Sequence, residues 1–64
     1  MTPYRLIIEL NTRFGTNYPT QMGYNYCRNN LVTATKVEGK WNIEESDAEA
    51  WLTKFAEKNQ LIES

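Results

Sequence analysis

A chain of 64 residues is one domain: folding at this size buries only about 60% of the unfolded surface, which leaves room for one small core and excludes a catalytic domain beside a binding domain. Apolar residues at 41% and charged residues at 23% exclude disorder, and no apolar run exceeds three residues, as in Leu6-Ile7-Ile8, which excludes a membrane span. The net charge of −1 argues at first against nucleic acid, but it is unevenly divided.

Residues 1–43 carry Arg5, Arg13, Arg28, Lys36 and Lys40 against Glu9 and Glu38, a net +3. Residues 44–64 carry Lys54 and Lys58 against six carboxylates, a net −4. A basic front on an acidic rear is the dipolar layout of a small protein that docks one face on phosphate.

Helix 1 is expected over about Pro3–Phe14. Thr2 can cap it, Pro3 suits its first position, and Gly15 suits the residue after its end. Tyr4, Ile7, Ile8, Leu10 and Phe14 approximate its apolar stripe. Thr16-Asn17-Tyr18 is a polar turn, and Pro19 opens helix 2, through about Asn29. Helix 2 is rich in hydrogen-bonding groups and contains Gly23, which costs about 1 kcal/mol against alanine and implies close approach by another helix. Asn29-Asn30 is an end that tolerates left-handed backbone. Two helices on a short turn, the second polar, suggest a helix-turn-helix.

The period then changes. Thr33–Val37 and Lys40–Ile43 flank Glu38-Gly39, a two-residue hairpin signal with Lys36 and Lys40 near its tip. Ser46-Asp47-Ala48-Glu49 matches the S-x-x-E capping box, opening helix 3 over about Ser46–Lys58 with Ala48, Trp51, Leu52 and Phe55 on one face. The fold class expected is α+β: a small winged helix-turn-helix, three helices with a two-stranded wing between helices 2 and 3. The domain covers residues 1–58, with 59–64 a frayed tail in which Leu61 and Ile62 could pack on a neighbour.

Chemistry-bearing residues are few. There is no histidine to serve as general base, and Cys27 is a lone cysteine with nothing to activate it or share a metal. The expectation is a binder and no enzyme, with no cofactor and no metal. No signal-peptide pattern is present, so a soluble cytoplasmic protein with no membrane partner is expected.

On helix 2, Gln21, Tyr24, Asn25 and Arg28 share one face at spacings of three and four. Asn and Gln can grip adenine through two hydrogen bonds, and Arg can grip guanine or phosphate; the plain alternative is a solvated face. Lys36 and Lys40 are expected on phosphates beside that helix, or simply as lysines that keep a hairpin soluble. Arg5 and Arg13 are further phosphate candidates, with Arg13 equally placed to serve its own helix dipole. Tyr26 and Cys27 face inward, and Trp41, Trp51 and Phe55 belong to the core.

The order of elements resembles the MerR-type and excisionase-type winged helices. Met22 through Val32 is similar to that family's recognition helix and following turn. Gly39-Lys40-Trp41-Asn42-Ile43 and Asp47-Ala48-Glu49-Ala50-Trp51-Leu52 are similar to its wing and closing helix, so the likeness runs from about Thr2 to Lys58. Three positions depart from the pattern: Asn30 replaces a usual glycine, Gly23 a β-branched residue, and Glu38 makes the wing less basic. The resemblance implies sequence-specific binding to double-stranded DNA by a small phage or mobile-element protein that directs recombination with an integrase partner. A small MerR-like transcription regulator is the alternative. A module that keeps the fold for protein interaction is the alternative from another class. One short helix and one wing cover roughly 600–1,000 Å², too little to select one genomic site, so neighbouring copies on DNA are expected as further partners.

Overall fold

A computed structural model describes residues 1–63. It contains α1 (Pro3–Phe14), α2 (Gln21–Arg28), β1 (Thr35–Val37), β2 (Lys40–Asn42) and α3 (Glu45–Asn59). This is an α+β domain with an antiparallel hairpin between the second and third helices, the layout of a winged helix-turn-helix. No described helix is long and apolar enough to cross a membrane.

Local signals at both ends set α1. The Thr2 hydroxyl accepts from the Arg5 N–H at 3.1 Å, and Pro3 occupies the first turn, where a missing donor costs nothing. Gly15 ends the helix in left-handed backbone at φ 65°, its N–H reaching the Asn11 carbonyl. The buried face is Pro3, Leu6, Ile7 and Leu10. Tyr4, expected in the apolar stripe, is instead 53% exposed: Leu6 takes the inward position, and the two lie too far apart around the helix to share a face.

The chain begins to turn at Pro19, where the Met22 and Gly23 N–H groups reach the Pro19 and Thr20 carbonyls, before regular helix starts at Gln21. The far end of α2 is closed by Asn30 at φ 57°. There the Leu31 N–H donates to the Tyr26 carbonyl at 2.8 Å and the Asn30 N–H to the Cys27 carbonyl, the paired bonds of a Schellman stop. Asparagine thus does the work glycine usually does, because its short polar side chain tolerates the left-handed region.

Glu38 and Gly39 both have positive φ, 50° and 78°, as a tight hairpin turn with the sheet's own twist requires. The strands are shorter than expected. Ile43 leaves the ladder to exchange two backbone bonds with Met1, its N–H donating at 2.8 Å and its carbonyl accepting at 2.9 Å.

The expected capping box does not form. Helix α3 starts at Glu45, with Glu44 as an extended cap that makes no side-chain bond, and Ser46 lies inside the first turn. With the helix starting at Glu45, Glu49 is its fifth residue and lies beyond the N3 position a capping box requires; its carboxylate instead accepts from Arg13 of α1. Glu45 and Asp47 in the first turn still suit the helix dipole. At the other end, where a frayed tail was expected from Asn59, Gln60 at φ 55° closes a second Schellman stop, with the Leu61 N–H on the Ala56 carbonyl at 2.8 Å and Leu61 packed on the core. Ser64 lies outside the described residues.

The core gathers Leu6, Ile7 and Leu10 of α1, Cys27 of α2, Val32, Ile43, and Ala48, Trp51 and Leu52 of α3. Tyr18, Tyr26, Trp51 and Phe55 form an aromatic cluster beside it. Trp51 stacks on Phe55 at 4.8 Å between centroids and makes a T-shaped pair with Tyr26 at 5.4 Å, as Tyr18 does with Phe55 at 5.4 Å. Trp41 and Phe55 are only half-buried, packed against the core rather than enclosed by it.

Candidate nucleic-acid interface

Gly23 sets where α2 lies. A methyl built on it would overlap the Pro3 carbonyl oxygen and stand 3.1 Å from Ile7 Cγ1, so the two helices touch backbone to backbone there. With Gly23 and Cys27 buried against the core, the residues on the opposite side of α2 must face outward. These are Gln21, Tyr24, Asn25 and Arg28, all four exposed. The Arg28 guanidinium donates to Asn25 Oδ1 at 3.4 Å, placing cation and carboxamide side by side. No carboxylate lies anywhere on α2.

Asn11 holds the turn that leads into this helix. Its Oδ1 accepts from the Thr16 hydroxyl at 2.8 Å and from the Tyr18 N–H at 2.9 Å, and its Nδ2 donates to the Tyr18 carbonyl at 3.0 Å. One side chain of α1 thereby satisfies three polar groups of a loop that makes few bonds of its own. The role was not read from the sequence. The available signal was an asparagine directly after Leu10 on the inward side of α1.

The hairpin carries its two lysines on different faces. Lys36 pairs across from Trp41, and Val37 from Lys40; alternation along each strand therefore sets Lys36 with Trp41 on one face and Lys40 with Val37 on the other. Lys36 Nζ lies 5.3 Å from the centre of the Trp41 ring. Both lysines are exposed, and neither pairs with a carboxylate among the described residues.

Arg5 and Arg13 are placed differently. Arg5 is exposed and 3.5 Å from Glu9, one turn along the same helix. Arg13 is held by carboxylates, with two bonds of 2.8 Å to Glu49, Glu9 at 3.5 Å and Glu63 at 3.7 Å. These bonds, those to Glu49 foremost, raise the Arg13 pKa further, and the Arg13 guanidinium holds the Glu49 carboxyl below its ordinary value. Arg13 thereby joins α1 to α3.

Burial pushes the Cys27 thiol up, so at neutral pH it is a neutral group and packs as a small apolar side chain. An open groove of ≈ 450 Å³ between α2 and α3, lined in part by Tyr26, Trp51 and Phe55 with Lys54 and Lys58 beside them, was not anticipated either. Comparison with known proteins finds no family model, curated protein or solved structure that matches the chain, so the likeness to excisionases rests on the residues themselves.

Proposed function

We propose that this chain binds double-stranded DNA sequence-specifically, α2 reading base edges in the major groove and the hairpin meeting the backbone, with no catalysis of its own. The observation that carries the reading is the outward face of α2. It combines two carboxamides, a phenol and a guanidinium, free of carboxylates, on a helix whose opposite face is locked to α1 at Gly23. The carboxamides of Gln21 and Asn25 can form paired hydrogen bonds with adenine edges, and Arg28 can reach guanine or the neighbouring phosphate. A ribbon with Lys36 on one face and Lys40 on the other suits contact with phosphates on two sides of a groove.

Within that reading, the resemblance to excisionases points to a recombination directionality factor of a phage or mobile element, working with an integrase. Ile62, 84% exposed, is available for contact between neighbouring copies on DNA. The test is a pair of substitutions on exposed residues. Asn25→Ala should relax sequence preference, at a cost of about 1–3 kcal/mol on the preferred site. Lys40→Ala should weaken all duplexes about equally. Equal behaviour of the two variants in a binding-site selection would overturn the assignment of α2 to bases and the wing to backbone.

A further inference from the structure

The groove between α2 and α3 lies on a different side of α2 from the proposed reading face. At about 100° per residue, Met22 and Tyr26 project roughly a third of a turn away from Gln21 and Asn25. Its apolar lining is Met22 and Tyr26 from α2, Trp51 and Phe55 from α3, and Leu31, 60% exposed, from the loop that follows α2. An open concavity of ≈ 450 Å³ with a largely apolar lining has the size of a binding cleft.

The rim states what kind. Lys54 and Lys58 stand one turn apart on α3 and border the groove, whose lining contains no carboxylate. Neither lysine makes an ion pair among the described residues, although residues 44–64 hold six carboxylates. On an acidic segment, two unpaired cations beside an aromatic groove complement a ligand that is apolar on one side and anionic on the other. We propose that this groove docks an acidic amphipathic helix of another protein, with apolar anchors against Tyr26, Trp51 and Phe55 and carboxylates on Lys54 and Lys58. The proposal stands apart from DNA binding, since it uses no residue of the outward face of α2.

The test uses the full chain, labelled for amide resonances, and two synthetic helices of about four turns. Both carry leucines at i and i+4; one is flanked by glutamates and its twin by lysines. The acidic peptide should shift the resonances of Met22, Tyr26, Leu31 and Phe55 and bind roughly tenfold or more tightly than the twin. The exposed double substitution Lys54→Glu, Lys58→Glu should reverse that order, and Leu31→Ser, also exposed, should weaken both peptides without changing the melt. Equal binding of the two peptides, no binding of either, or shifts confined to another surface would overturn the proposal. So would an oligothymidylate occupying the same groove, or self-association of the chain that closes it.

Discussion

The α-carbon of Gly23 in α2 lies so close to the Pro3 carbonyl of α1 that no side chain fits between them. Helix propensity and packing therefore make opposite predictions for Gly23→Ala. Propensity alone favours alanine by about 1 kcal/mol, whereas forcing a methyl against fixed backbone costs about 1–3 kcal/mol or more. Packing should win, because the neighbour is a carbonyl at the start of a capped helix and cannot rotate away. Gly23→Ala should lower the urea midpoint, with a net loss of about 1–2 kcal/mol. An unchanged or raised midpoint would show that the helices can part at this point without cost.

Asn11 makes a second stability prediction. Replacing it with alanine strands the Tyr18 N–H and carbonyl and the Thr16 hydroxyl, at a cost of about 1–3 kcal/mol. Thr16→Ala should cost less, because Asn11 Oδ1 keeps the Tyr18 N–H. Denaturant unfolding of the two variants measures the order directly; a larger loss for Thr16→Ala would contradict the clamp.

The Arg13–Glu49 link predicts a pH dependence. Arg13 depresses the Glu49 pKa below its ordinary 4.5, so the folded state binds the proton less readily than the unfolded chain. The stability gained is fully present above the ordinary glutamate range and is lost as pH falls through the depressed folded value. Glu49→Gln should therefore melt lower than the parent at neutral pH, and the two melting temperatures should converge in acid. High salt should narrow the gap, since Glu49 is exposed. A constant gap across the acid range would mean that the carboxylate's charge contributes nothing.

Much of the fold was legible because its signals are local. Thr2-Pro3 and Gly15 bracket α1, Asn30 ends α2, and Glu38-Gly39 turns the hairpin, each through backbone preferences of the residues themselves. The failures are non-local. Ser46-Asp47-Ala48-Glu49 is a sound capping box in isolation, but the helix starts at Glu45, ahead of it, and Glu49 bonds an arginine 36 positions earlier instead. The hairpin shortens because Ile43 finds Met1, at the far end of the sequence. At the candidate site, the α2 face follows from spacing alone, whereas Lys36 and Lys40, expected together beside helix 2, are set on opposite faces of the hairpin by its strand register. The charge count of the front segment was misleading in one respect. Arg13 contributes to the sum but is neutralised by Glu49, Glu9 and Glu63, which no tally along the chain reveals.

The central claim is that the outward face of α2 and the hairpin engage duplex DNA, with Arg28, Lys36 and Lys40 meeting phosphate. The most direct test is the affinity for double-stranded DNA measured across salt concentration. Each phosphate neutralised contributes about 0.9 to the log–log slope, so three cations predict a slope of about −3, made shallower by about 1 in Lys40→Ala. Binding that ignores salt, or no binding to any duplex at low salt, would contradict the account.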